Sequence, residues 1–379
     1  MMEQTDAELG ARLRGHRERA GLSQEQLGRE IGLDRSAVNR VESGARRLTA
    51  LELADVARVL DVRMTTFFED PAPALVAHRS SQGLDTSESQ IDGELAKIAV
   101  DVEFLQSLGS PTLSFEKDDE LQAARLSSPE SNNDVEKLAR KARALLGVQA
   151  LAPISNLTEA VAALGLLAFS KDIGPDTADA GTILLRNGGV SLVNSNMKVG
   201  RRRLALAHEL GHYLLADEYT IDWRIDGHSS NTPVEARLDR FARSLLLPGE
   251  ALASKWKEYD GVDDPRVAAV RTASYFRVDM ATLARRLQEQ GLIDGDAAAR
   301  VRLARTSRTD IIDFNLNLPV EELFGTSVPR PYSLAILALV RDERISRERA
   351  LELFKGTMSE ADLPEVRIRR PEKIWDFVS

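Results

Sequence analysis

With 379 residues, 43% hydrophobic and 29% charged, the chain has the length for two or three domains and the composition of a soluble globular protein. No run of about eighteen apolar residues stands in it and its start lacks the basic and apolar regions of a secretory signal, so membrane spans are excluded and the cytoplasm is the expected location. Cysteine is absent, which leaves only histidine and carboxylate to hold a metal, and a net charge of −9 means that any contact with nucleic acid must come from a local patch.

The first predicted elements lie between residues 7 and 69. Ser23 stands where it can cap a helix, with Gln26 three residues on to complete a capping box, and Gly32-Leu33 makes a tight turn. Asp34 can cap the next helix, Arg35 to Ser43, which Gly44 closes. Leu51 to Leu60 reads as a further amphipathic helix that backs the pair. Two short helices joined by such a turn make a helix-turn-helix, and the features G-L-S-Q-E-x-L and N-R-V-E-S-G resemble the XRE, or Cro/C1-type, DNA-binding domain. That resemblance implies a five-helix bundle whose second motif helix enters the major groove. Arg35, Ser36, Asn39 and Arg40 are then the expected base-reading positions, with Gln24 on the preceding helix and Arg46 and Arg47 placed for phosphates. One such domain covers one half-site, so stable operator binding implies a homodimer.

Residues 71 to 133 read as a linker, rich in Pro, Ser and Gly at first, carrying one helix over about 94 to 108 with Leu95, Ile98, Val102, Leu105 and Leu108 at helical spacing. Core packing and dimerisation are both open for that helix. From Val135 two helices are predicted, then three short apolar runs, 165 to 169, 181 to 185 and 190 to 194, that make a small sheet. Val190 to Asn194 is the expected edge for pairing with extended substrate. Arg201 to Arg203 read as a solvated charge run or a sheet-facing salt-bridge cluster, ahead of a substrate role.

The next stretch, Leu204 to Leu215, contains His208-Glu209-Leu210-Gly211-His212. On a helix, positions i and i+4 share a face, so the two imidazoles can meet one zinc ion while Glu209 stands beside them to take a proton from water. Zinc needs a third protein ligand. Leu215 and Glu218 stand where a metzincin would have Gly and His, which leaves Glu218 a minor candidate. His228 lies in a polar segment and is weaker still. The stronger candidate is Glu235, at i and i+4 with Asp239 on a second amphipathic helix that stops at Pro248. There one carboxylate can bind metal while the other accepts the far N–H of a ligand histidine.

Together, A-H-E-L-G-H-Y-L-L and E-x-x-L-D-x-F-A-x-x-L-L-L-P resemble the ImmA/IrrE family of zinc metallopeptidases over about residues 134 to 290. The resemblance implies zinc (Zn2+) on His208, His212 and Glu235, Glu209 as general base, and a protein substrate, typically a repressor with its own helix-turn-helix. Leu238, Asp239 and Leu247 replace the usual Ala, Asn and Met without touching the ligand set. Residues 266 to 292 look like the winged-helix-like end of that family. The expected chain is thus mainly α with a small sheet (α+β): a DNA-binding domain over 1–70, a linker over 71–133, a zincin-like peptidase domain over 134–295 and a helical extension over 296–379. Two other readings use the same residues, a regulator whose peptidase-like domain senses without cutting, and an antitoxin-like module.

Overall fold

The computed structural model describes residues 6–20, 22–60, 64–67, 76–79, 85–115, 129–175, 177–185, 187–219, 233–261, 263–316 and 322–364. His228 lies outside them, as do the side chains of Glu218 and Tyr219. The chain divides into two compact units, Met1–Ala72 and Pro73–Ser379. Among the described residues no helix is long and apolar enough to cross a membrane.

The first unit holds α1 (Asp6–Arg19), α2 (Gln24–Ile31), α3 (Arg35–Glu42) and α4 (Ala50–Val59), followed by a single 3-10 turn, Met64–Phe67. Its helices start where the caps dictate. Ser23 and Gln26 close a reciprocal box at α2, with Gln26 Oε1 accepting from Ser23 N at 2.7 Å, and Thr49 with Glu52 does the same at α4. Gly32 ends α2 at φ 71°, a left-handed conformation that costs a residue with a Cβ but not glycine. Leu13, Leu27, Val38, Val41, Val56 and Phe67 meet in the core. Of the expected five-helix bundle, the described residues show four α-helices and the 3-10 turn Met64–Phe67, which plugs Phe67 into the core.

The second unit is a sheet between two helical layers. Its strands are β1 (Val76–Arg79), β2 (Leu166–Lys171), β3 (Ala180–Leu184) and β4 (Gly189–Asn194), in the order β1-β3-β4-β2. β2 runs parallel to β4, while β3 is antiparallel to β4 and to β1. Successive strand residues face opposite sides. Leu166, Ala168, Ala180 and Val193 therefore join one core, and Leu167, Phe169, Ile183, Val190 and Leu192 join another. The first core is completed by α6 (Asn132–Leu145), α7 (Leu157–Ala163), α8 (Val199–Tyr219), α9 (Pro233–Leu246), α10 (Gly249–Asp260), α11 (Pro265–Phe276), α12 (Met280–Glu289) and α13 (Gly295–Leu303). The second core is completed by α5 (Asp85–Ser107), α15 (Arg330–Arg341) and α16 (Arg347–Leu353); between the two groups lies the short α14 (Arg308–Asp313).

Two expectations change. The helix placed in a linker starts at Asp85 and is part of the core: Ile91, Leu95, Val102 and Leu105 are wholly buried, because a sheet apolar on both faces needs a second layer. The C-terminal stretch supplies the rest of that layer, and its α16 is tied to α5 by Asp101, which accepts from Arg349 at 2.9 Å and Lys355 at 2.8 Å. β4 is no edge, since β3 flanks it on one side and β2 on the other. Of the two readings of Arg201 to Arg203, the structure has ion pairs rather than a solvated run. Arg201 pairs with Asp179, and Arg203 is buried against Glu322 and the carbonyl of Ile154. Glu322 also accepts from the amide of Leu157 at 2.5 Å, so one buried carboxylate joins the start of α7 to the second turn of α8.

Candidate metal centre

α8 carries His208, Glu209 and His212 through the middle of the first core, with Leu204, Ala205, Leu206, Ala207 and Leu210 buried around them. α9 crosses close by at Gly211. A Cβ added there would stand 2.7 Å from Leu238 Cδ2 and 3.0 Å from Phe241 Cδ1, so the glycine between the two histidines is what lets α9 approach. That approach brings in Glu235.

His208 Nε2 lies 3.1 Å from His212 Nε2 and 3.1 Å from Glu235 Oε2, and His212 Nε2 lies 3.6 Å from Glu235 Oε1. Among the described residues these three make a group whose ligand atoms lie within 4.8 Å of one another. Four ligands arranged tetrahedrally at zinc distances sit about 3.3 Å apart, so the donor set fits that ion in type and in spacing. On the other side of the ring, His208 Nδ1–H donates to Asp239 Oδ1 at 2.9 Å, which leaves Nε2 as the metal-facing nitrogen.

His208 is 1% exposed. Burial by itself depresses its pKa, but the hydrogen bonds to Asp239 and Glu235 and the charge of Glu209 outweigh that, and it is pushed up to about 9. Burial acts on Glu235 in the opposite sense, yet the hydrogen bond from His208 and the charge of both histidines hold its carboxyl below the usual range. Both shifts express one fact: two imidazoles and three carboxylates are gathered in a space that favours a cation.

Glu209 is fully buried, and the hydroxyl of Thr182 on β3 donates to its Oε2 at 2.7 Å. Thr182 in turn shares a 2.6 Å hydrogen bond with Ser191 on β4. These two hydroxyls were missed in the sequence; their signal is a pair of polar residues at inward positions of otherwise apolar strands. Tyr213 is a packing residue, its hydroxyl donating to Leu164 O at 2.8 Å and its pKa pushed up by burial to about 12.

On the first unit, α3 buries Ala37, Val38, Val41 and Glu42 and exposes Arg35, Ser36, Asn39 and Arg40 on its other face. Gln24 Nε2 donates to Glu42 Oε2 at 2.8 Å and Asn39 Oδ1 at 3.3 Å, joining the two motif helices. Glu42 is held from behind by Arg17 Nε at 2.6 Å, a buried pair not foreseen from the sequence. Arg47 is exposed, and Arg46 lies half-buried in a 2.6 Å ion pair with Glu52.

Residues 165–288 match the IrrE N-terminal-like domain, and residues 8–65 match a helix-turn-helix domain. An uncharacterized HTH-type transcriptional regulator of Sinorhizobium medicae (strain WSM419) is 35% identical over 65 residues, which are 17% of this chain and 47% of that protein. The chain thus spans about half the length of that relative. The uncharacterized HTH-type transcriptional regulator y4wC of Sinorhizobium fredii (strain NBRC 101917 / NGR234) is 31% identical over 101 residues, 27% of this chain and 68% of that protein. The crystal structure of Bacillus thuringiensis PlcR in complex with the peptide PapR7 and DNA aligns over 92% of each chain at 11% identity, with a TM-score of 0.17 that is too low to bear on the fold. The chain thus belongs with the HTH-type transcriptional regulators through its N-terminal helix-turn-helix, and joins to it an IrrE-like domain that carries His208, Glu209, His212 and Glu235.

Proposed function

We propose that the chain is a cytoplasmic zinc-dependent endopeptidase fused to a DNA-binding domain, and that it regulates transcription by site-specific cleavage of a repressor that itself carries a helix-turn-helix. The observation that carries this reading is the convergence of His208, His212 and Glu235, with Asp239 behind His208 and Glu209 beside it. When bound, zinc supplies a Lewis acid that lowers the pKa of water and polarises the scissile carbonyl. The chain's own residues do the rest. Glu209 takes the proton from the attacking water and passes it to the leaving amine, and the Thr182 hydroxyl holds that carboxylate in place. Asp239 fixes the ring of His208.

Zinc counted after metal reconstitution tests the ligand set. One zinc per chain is expected for the wild type and for Glu209→Gln, and none for His212→Ala or Glu235→Ala; Glu209→Gln should bind zinc and cut nothing. A wild type without specific zinc would sink the reading and leave a regulator that does not cut.

The exposed face of α3 supports DNA binding by the first unit, and an operator of two half-sites would take two copies. Arg40→Ala should weaken binding to an operator selected from random sequence by about 1–3 kcal/mol, measured by anisotropy at fixed salt, if it meets a base edge. Equal loss on every sequence would make it a phosphate contact instead.

A further inference from the structure

β3 runs past the candidate centre with one face towards Glu209, through the Thr182 hydroxyl. Its backbone groups are divided between two neighbours. Leu185 N donates to Gly188 O at 3.0 Å and Asn194 N donates to Asp179 O at 2.9 Å, so residues 179, 181, 183 and 185 turn their backbone groups towards β4. Alternation along an antiparallel strand then turns those of Ala180 and Thr182 the other way, towards β1. There Ala77 stands opposite Thr182 and Arg79 opposite Ala180. Residues 76–79 therefore lie level with the residue that holds Glu209.

β4 is interior, and on the outer side of β2 Ser327 exchanges backbone hydrogen bonds of 3.1 and 3.0 Å with Ser170. An extended peptide that docks on a sheet does so through main-chain hydrogen bonds, which any extended segment can make. A segment tethered to the same chain holds such a place at an effective concentration on the order of millimolar.

We propose that residues 76–79 occupy the strand place on β3 at which an extended substrate would be held, so that the chain fills its own substrate place until a better-fitting strand displaces them. The proposal rests on the metallopeptidase reading above and names its regulation. β1 is four residues long, below the usual five or six, which makes it a strand that a longer one can replace.

Hydrogen exchange read residue by residue on the full chain tests this. Ala77→Pro with Arg79→Pro removes the two N–H groups that face β3. In that variant the amides of Ala180 and Thr182 should exchange at least tenfold faster, while Gly181 and Ile183, bonded to β4, keep their wild-type rates. A synthetic peptide of residues 73–82 should restore protection to Ala180 and Thr182 in the variant and leave the wild type unchanged. Equal rates for Ala180 and Thr182 in both proteins, or no recovery with the peptide, would overturn the proposal. Should the prolines disturb Gly181 and Ile183 as well, Ala77→Gly with Arg79→Gly weakens the same pairing without them and is read by the same criteria. The exchange experiment needs no metal. Failure of zinc stoichiometry with this exchange pattern intact would remove the peptidase reading alone, and the converse would remove only the strand's tenancy.

Discussion

At the scale of single residues, the centre is governed by how a proton and a metal ion compete for His208. Its pKa of about 9 without metal means that a proton must leave before the nitrogen can bind zinc. Zinc affinity should therefore rise by about tenfold per pH unit from pH 6.5 towards 9 and level off above. The same shift makes the metal-free chain lose stability over that window, because a raised folded pKa contributes stability below the unfolded value that is lost as pH passes the folded one. Asp239→Asn takes away the charge that holds the far N–H of His208, and zinc affinity at pH 7.5 should fall about 10- to 100-fold. Competition titration with a chelator at several pH values checks both; a flat pH profile would show that no proton is displaced.

At the scale of elements, the pairing of α8 with α9 decides whether the third carboxylate arrives. Gly211 is the point of closest approach, and a side chain there must push against Leu238 and Phe241. Gly211→Val should cost about 1–3 kcal/mol by overpacking and weaken zinc binding at once, since α9 carries Glu235. Denaturant midpoints and zinc stoichiometry on one preparation would show both losses; stability lost with zinc intact would mean that α9 adjusts without moving Glu235. Much of this pairing was legible. The i, i+4 spacing of His208 and His212, and of Glu235 and Asp239, is a local property of two helices. The wholly buried Thr182 and Ser191 were not legible as partners of Glu209, because which strand passes beneath a helix is set by long-range packing.

At the scale of the whole molecule, buried charges stitch distant segments together. Glu136 on α6 accepts from Arg286 on α12 at 2.7 and 2.8 Å and from Ser244 on α9 at 3.2 Å. Burial raises the carboxyl's pKa, but the Arg286 guanidinium more than offsets this and holds it below the usual range. A depressed carboxylate contributes stability above its unfolded pKa of about 4.5 that is lost as pH falls through the folded value. Glu136→Gln should therefore cost about 1–3 kcal/mol at pH 7, and the gap from wild type should narrow below pH 4.5. Urea unfolding at pH 7 and pH 4 is the check, and a gap that does not change with pH would assign the loss to packing.

The sequence by itself determined the helix-turn-helix, through caps at Ser23 and Asp34 and the turn at Gly32, and the face shared by His208 and His212. These depend on neighbours three or four residues away, where spacing and side-chain chemistry are sufficient. Tertiary structure alone decided the strand order that makes β4 interior, the burial of α5 and the C-terminal helices on the sheet's second face, and the place of β1 beside Thr182. The physical reason is that an apolar run declares that it must be buried, and only the assembled chain determines against what.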